Sequence, residues 1–181
     1  MSMVVLPYEL SFLLLFPLVM APITYLVGLK SDRLPRIVAL IVAVIELIVA
    51  LHLSLVYLSL PKNTENIFDI RIYEKYPWVP EAGISYYIAL DGLSVVMVLL
   101  STILSLAAVL SSNHIEERKA FYYSLVVLLE ASLIGVFITY DLFMFYIFWE
   151  LVLVPMYFLI AIWGGPRRKY AAIKFFIYTH V

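Results

Sequence analysis

The fold of this chain is decided by residues 121–163, FYYSLVVLLEASLIGVFITYDLFMFYIFWELVLVPMYFLIAIW. These 43 residues are nearly all apolar, and one helix of that length would measure about 65 Å, about twice the hydrocarbon thickness of a membrane. The stretch must therefore fold back, and residues 139–141, TYD, form the only plausible turn. We predict two membrane-spanning helices, at 120–139 and 141–163, with Asp141 as the N-cap of the second and GGP at 164–166 as its end.

The remainder of the chain has the same apolar character. Of 181 residues, 65% are hydrophobic and 14% are charged, and the mean hydropathy is +1.02, far above that of an ordinary soluble domain. Three further spanning helices are predicted at 4–29, 34–60 and 91–112, the last with Asp91 as its N-cap. No Lys or Arg precedes Lys30, so we expect the first helix to be retained rather than cleaved as a secretory signal.

A sixth apolar stretch, at 170–181, has 12 residues, or about 18 Å of helix, and is too short to cross a bilayer. We therefore expect the sequence to be a fragment of a longer polypeptide. The predicted fold class is an all-α integral membrane protein with five full transmembrane helices and a truncated sixth. Residues 1–181 are expected to form a single membrane domain.

The polar insertion at 61–90 contains two runs typical of strands. Between 68 and 73, Phe and Ile alternate with Asp, Arg and Tyr at a period of two, and a second apolar and aromatic run covers 84–90. We predict a small surface hairpin whose Trp78, Tyr86 and Tyr87 lie at the level of the lipid headgroups.

The orientation follows from the distribution of basic residues, because positively charged loops are retained in the cytoplasm. Eight of them fall on one side of the membrane and three on the other: Lys30, Arg33, Arg36, Arg118, Lys119, Arg167, Arg168 and Lys169 against Lys62, Arg71 and Lys75. The N-terminus and the 61–90 insertion are thus predicted to face outward from the cell's inner, plasma membrane.

Composition and motifs exclude several classes of function. The net charge is −1 and there is no basic tract, so nothing indicates nucleic acid binding. The chain has no cysteine, which excludes Cys-ligated zinc and Cys-ligated iron–sulfur clusters. No nucleophile triad, phosphate-binding glycine loop, dinucleotide fingerprint or set of metal ligands is found, so we expect no independent active site and no cofactor on this chain.

Glu150 is the first candidate functional residue, because it lies near the middle of a predicted membrane helix. A carboxylate at the bilayer centre costs roughly 2.5–3.5 kcal/mol on insertion scales, so it normally faces the protein interior and marks a polar pathway. Tyr146 and Tyr157 share its helical face. Pro155 lacks the N–H that would bond the carbonyl of Leu151, so a kink and a free acceptor are expected beside the acid. The alternative is a protonated Glu150 that only bonds a neighbouring helix.

Four further ionisable residues lie in predicted membrane segments. Glu130 should lie at the same depth as Glu150, and functional and packing roles are equally open; two facing carboxyl groups could share a proton. Glu46 is interpreted as a packing residue. Lys174 lies about 12 Å from Pro166, near enough to the surface for its side chain to extend there, and His180 could face a polar channel.

One stretch carries a specific resemblance. Residues 143–181, FMFYIFWELVLVPMYFLIAIWGGPRRKYAAIKFFIYTHV, closely resemble the chain M family of proton-pumping NADH-quinone oxidoreductase, the antiporter-like membrane subunits of respiratory complex I. Supporting matches are YPW at 76–78 with Pro80, DGLS at 91–94, and LLEA at 128–131 followed by GVF at 135–137.

The resemblance implies a function for the whole protein. The family's members are long helical bundles, so this chain would be the N-terminal portion, and Glu150 would be the glutamate that modulates the proton affinity of a lysine on a later helix. Glu130 would occupy the family's other intramembrane glutamate position. The expected function is proton translocation coupled to quinone reduction, with quinone, flavin and iron–sulfur clusters on other subunits, and the expected partners are those membrane subunits and the lipid bilayer. The alternatives are a subunit of a multicomponent Na+/H+ antiporter or of a membrane-bound hydrogenase.

Overall fold

The protein is a bundle of helices with a small sheet at one end. The structure, a computed structural model, describes residues 8–62 and 68–180. In that part of the chain the six α-helices are α1 (Glu9–Gly28), α2 (Leu34–Ser59), α3 (Gly92–Ser111), α4 (Lys119–Ile138), α5 (Leu142–Trp163) and α6 (Arg168–His180), and the two strands are β1 (Ile72–Val79) and β2 (Ile84–Leu90).

Helices α1 to α5 are each long and apolar enough to cross a membrane, which confirms the predicted fold class. The turn between α4 and α5 falls at 139–141 as predicted, and α5 continues through Pro155 to end at Trp163. The predicted start of the first helix at residue 4 lies outside the described residues. Helix α6 is the short sixth segment.

Helix α4 lies at the centre of the bundle. It packs against α1, α2, α3 and α5. In the most apolar 18-residue stretch of α4, 56% of the residues are buried inside the protein, compared with 17% in the corresponding stretch of α5. Gly135 allows α4 to approach α5 closely, because a Cβ built at this position would lie 2.3 Å from the ring of Phe148. Because so few residues of α5 are buried, most of its surface is open to lipid or to other helices.

The predicted hairpin is present, but the prediction of its first strand was wrong. The alternating residues 68–73 were expected to form that strand, whereas β1 covers Ile72–Val79 and pairs antiparallel with β2 from Ile72↔Leu90 to Val79↔Ile84. Asp69 has a φ of 49°, which interrupts an extended strand. The chain turns instead at Pro80–Ala82, and Gly83 has a φ of 69°, a conformation that glycine adopts without strain.

The hairpin holds one end of the helix bundle. The Glu74 carboxylate on β1 accepts hydrogen bonds from the backbone N–H groups of Leu10 (3.0 Å) and Ser11 (3.2 Å) in the first turn of α1. Arg71 donates to the carbonyls of Tyr57 (3.0 Å) and Leu60 (2.9 Å) at the end of α2. These bonds satisfy backbone groups that a helix end leaves without partners.

Two aspartates continue this arrangement at α3 and α5, and both are the predicted N-caps. Asp91 accepts from the Ser94 N–H at 2.6 Å and from the Tyr140 hydroxyl at 2.6 Å. Asp141 accepts from the Phe143 N–H at 3.0 Å, within α5, and from the Ser85 N–H on β2 at 2.9 Å. The Ser85 hydrogen bond, the first of several from backbone N–H groups, holds the pKa of Asp141 below its usual range.

Candidate functional site

Glu150 is a residue of the membrane-spanning helix α5, and its side chain contacts α6. It is the ninth residue of α5, about 12 Å along the helix from its start. Its side chain is 28% exposed, and Oε2 lies 3.3 Å from Nδ1 of His180 on α6. The structure therefore brings together two of the residues that the sequence marked as candidates.

The two predicted tyrosines occupy different positions relative to this acid. Tyr146 lies one helical turn before Glu150 and interacts with its carboxylate. Tyr157 packs its ring against Phe176 of α6, with ring centroids 5.9 Å apart. Both lie along α5, but Tyr157 serves the contact with α6, and Tyr146 is largely exposed.

Pro155 lies five residues after Glu150 and is buried within α5. The helix is continuous on both sides of it. Because proline has no N–H, the carbonyl four residues earlier, that of Leu151, lacks its helical donor. An acceptor oxygen without that donor thus stands in the turn next to Glu150.

Lys174 does not approach Glu150. Its side chain is exposed on α6, and Nζ lies 5.5 Å from the ring centroid of Tyr178 and 5.8 Å from that of Tyr170 on the same helix. Among the residues described, the ion-pair partner of Glu150 is His180 rather than this lysine.

Glu130 is buried on the opposite side of the α4–α5 pair. It is 2% exposed, it approaches Ser105 of α3 without forming a well-aligned hydrogen bond, and it interacts electrostatically with Glu46 of α2. The possibility that Glu130 and Glu150 face each other is thus not realised. The sequence predicts that Glu130 and Glu150 lie at equal depth. It does not predict how each helix is rotated about its axis, and that rotation decides which way each side chain points.

Glu46, interpreted from the sequence as a packing residue, lies in the interior of the bundle. It is fully buried, and it is the thirteenth of the 26 residues of α2, while Glu130 is the twelfth of the 20 residues of α4. Both acids therefore stand at mid-helix in neighbouring elements. Their mid-helix positions can be read from the sequence, but only the structure shows that α2 packs against α4.

The five long apolar helices, with Glu150 near the middle of one of them, define an integral membrane helical bundle. Residues 139–181 match the family described as "NADH:quinone oxidoreductase/Mrp antiporter, TM". The chain is 36% identical over 181 aligned positions to NADH-quinone oxidoreductase subunit M of Buchnera aphidicola, covering 94% of this chain and 35% of that protein. It is 34% identical over 170 positions to NAD(P)H-quinone oxidoreductase chain 4 2 of Microcystis aeruginosa, covering 94% of this chain and 30% of the relative.

Solved structures show the same fold. Respiratory complex I from Thermus thermophilus matches with a TM-score of 0.73 and 26% identity, over 93% of this chain and 32% of the matched one. The Mrp complex from Dietzia sp. matches with a TM-score of 0.72 and 21% identity, over 93% of this chain and 17% of the matched one, a likeness of fold alone.

These comparisons confirm the resemblance that the sequence motifs indicated. They also confirm that the chain is a membrane protein similar to subunits of multisubunit membrane complexes. The chain spans about a third of the length of the two curated relatives, 35% and 30% respectively.

Proposed function

We propose that this chain is part of a proton-translocating membrane subunit of an NADH-quinone oxidoreductase complex, in which Glu150 takes up and releases a proton. The observation that carries the proposal is the contact of Glu150 with His180, 3.3 Å apart between two helices of the membrane bundle. An acid in a membrane normally marks a charge pathway, and a second titratable group at contact distance gives it a proton partner.

The proposed mechanism is electrostatic. A cation beside a carboxylate stabilises the ionised form, and loss of that charge in an apolar medium favours proton uptake. His180 supplies such a charge when it is protonated, and the Tyr146 hydroxyl interacts with the same carboxylate. By the family resemblance, a lysine on a later helix of the complete protein would take part in the same exchange.

The energy for pumping would come from other subunits. We place quinone, flavin and iron–sulfur clusters on those chains, and no independent active site on this one. The partners would cover the open surface of α5. In the most apolar 18-residue stretch of this helix, 17% of the residues are buried by the rest of the chain. The complex would reside in the plasma membrane, with the N-terminus of this subunit outside.

A second candidate is a subunit of a multicomponent Na+/H+ antiporter or of a membrane-bound hydrogenase. The similarity of fold to the Mrp complex supports the antiporter subunit as the alternative function. The reading frames beside the gene distinguish the two, because quinone-site and redox subunits encoded there support the oxidoreductase.

The test is Glu150→Gln in the assembled complex, which keeps the side chain's size but cannot ionise. We expect NADH-driven proton pumping to fall about 100-fold, since a positioned proton-transfer group contributes on that order. Glu116→Gln, on the exposed loop between α3 and α4, is the matched control and should pump normally. Undiminished pumping by the Glu150 variant, with normal assembly, would exclude the proposed role.

A further inference from the structure

A polar pocket lies at the end of the bundle opposite the hairpin, where the connection between α1 and α2 meets the connection between α3 and α4. Its volume is about 280 Å³, which is enough for a phosphate-sized group and several water molecules. Three of the polar side chains that line it are basic and one is acidic, so its net charge is positive: Arg33, Arg36, Lys119, Asp32, Asn113 and Tyr123. A pocket of this charge attracts anions.

The three basic side chains have no counter-ion in the part of the chain that the structure describes. The ion pairs found there join other groups, and neither Asp32 nor any other described carboxylate pairs with Arg33, Arg36 or Lys119. Arg36 and Lys119 are half-buried, so they have lost part of their hydration. A desolvated cation is costly without an opposite charge, and an anion bound in the pocket would supply that charge.

Two helix starts border the pocket and add to its positive potential. Helix α2 begins one residue after Arg33, and helix α4 begins at Lys119. Among the described residues, no side chain caps either start. The backbone N–H groups of a first turn carry the positive end of the helix dipole, which favours a bound anion.

The pocket borders an exposed apolar face of α2. Ile37 lines the pocket, and Ile41, Val44 and Ile48 follow it at the spacing of one helical face. These four side chains are between 39% and 60% exposed. The rise from Ile37 to Ile48 is about 16 Å, which is about half of the 30 Å hydrocarbon core, or the depth of one leaflet. A ligand with a phosphate group in the pocket and an acyl chain along this face would match both surfaces.

A tryptophan at the same end of the bundle marks the level of the lipid headgroups. Trp163, the last residue of α5, donates its indole N–H to the carbonyl of Glu117 at 3.1 Å. Glu117 belongs to the connection between α3 and α4 that also contributes to the pocket. Because tryptophan is enriched at membrane–water interfaces, the pocket is placed where the phosphate groups of a leaflet lie.

We propose that this pocket binds the phosphate group of an anionic phospholipid whose acyl chain lies along the exposed face of α2. Arg36 and Lys119 would bind phosphate oxygens through charge-assisted hydrogen bonds, and Arg33 at the exposed rim adds to the attraction. Basic pockets between membrane helices bind anionic headgroups in this way. The site does not rest on the proposed function, because Glu150 takes no part in it.

The test is photo-labelling of the assembled complex in lipid nanodiscs. The probe is phosphatidylglycerol with a diazirine on one acyl chain, and mass spectrometry maps the labelled peptides. We expect label within residues 34–48, and we expect unlabelled phosphatidylglycerol to compete at least tenfold better than phosphatidylcholine, which has no net charge. Equal competition by the two lipids would show contact without recognition of the headgroup and would overturn the proposal. Inorganic phosphate that competes as well as phosphatidylglycerol would show a site for a soluble anion instead of a lipid.

Substitution tests the charges of the pocket. Arg36→Gln combined with Lys119→Gln should reduce the labelling of α2 at least tenfold, because each basic residue near an anionic lipid contributes a factor of about five. The control is Arg167→Gln combined with Lys169→Gln, which removes the same charge from the connection between α5 and α6 and should leave this labelling unchanged. Equal labelling in the two double variants contradicts the site.

Asp32→Asn distinguishes lipid binding from a purely structural role of the pocket. It removes the acidic side chain from the lining, so labelling of α2 by the anionic lipid should rise about fivefold. Asp32 is exposed, so this variant decides the question even if the Arg36 and Lys119 variant does not assemble. Unchanged or weaker labelling would overturn the proposal. These measurements involve no turnover, so they can fail while the Glu150 test succeeds.

Discussion

Five acidic residues of this chain show two contrasting kinds of surroundings. Glu74, Asp91 and Asp141 accept hydrogen bonds from backbone N–H groups in the first turns of helices, whereas Glu46 and Glu130 accept none among the described residues. A carboxylate at a helix N-terminus is stabilised by the donors and by the helix dipole. The first group therefore stabilises the fold, whereas the second group lies in the interior without such donors.

Asp91 gives a prediction at this scale. Burial raises its pKa, but hydrogen bonds from Ser94 and Tyr140 outweigh burial, so the pKa lies below its usual value. The folded state thus binds the proton less readily than the unfolded state, and the resulting stability is fully present above the ordinary value of about 3.9 and is lost as the pH falls through the lower folded value.

The measurement is thermal unfolding of the purified full-length protein in detergent between pH 7 and pH 3. Asp91→Asn should cost less than about 1 kcal/mol at neutral pH, because Asn is also a good N-cap, and it should flatten the acid limb of the stability curve. A variant that keeps the full acid dependence of wild type would show that Asp91 is not a source of it.

At the scale of elements, the contact between α4 and α5 is set by one small residue. Gly135 faces the ring of Phe148, which is 7% exposed and packs in the same core as Ile134 and Ile138. That ring cannot move aside without disturbing the core, because interiors of this kind are close-packed. The orientation of α5, and with it the position of Glu150, depends on this contact.

Gly135→Ala should therefore destabilise the protein by about 1–3 kcal/mol, the usual cost of overpacking. Gly165→Ala is the control, since a Cβ there meets nothing within 4 Å. Detergent melting curves of both full-length variants measure the difference. Equal stability of the two would mean that α4 and α5 can separate without cost.

For the whole molecule, the hairpin and the basic loops lie at opposite ends of the bundle. At one end of the bundle, Glu74 of the hairpin binds the start of α1, Arg71 just before β1 binds the end of α2, and Ser85 of β2 binds Asp141 at the start of α5. Eight basic residues lie in or beside the connections at the other end. This distribution predicts that the hairpin faces out of the cell.

The orientation can be measured by cysteine labelling, because this chain contains no cysteine of its own. Glu81→Cys, in the exposed turn of the hairpin, should react with a membrane-impermeant maleimide on intact cells. Glu116→Cys, in the loop between α3 and α4, should react only after the membrane is opened. The reverse pattern would invert the proposed topology.

The sequence by itself determined the membrane class, the five spanning helices, the turn at 139–141 and the N-caps Asp91 and Asp141. Each of these depends on local properties, namely the length of an apolar run, the charges that interrupt it, and a side chain that reaches the next backbone N–H groups. It also identified Glu150 as a mid-helix acid, because one such acid is visible without knowledge of its neighbours.

Only the tertiary structure decided which acids meet. The helices are apolar on all sides, so the sequence pattern does not indicate which face turns inward, and helix rotation is set by packing between helices. That packing places Glu150 beside His180 and buries Glu46 and Glu130 in the interior. The tertiary structure likewise decided where the first strand lies. The bounds of β1 are set by its pairing with β2 and not by the alternation at 68–73.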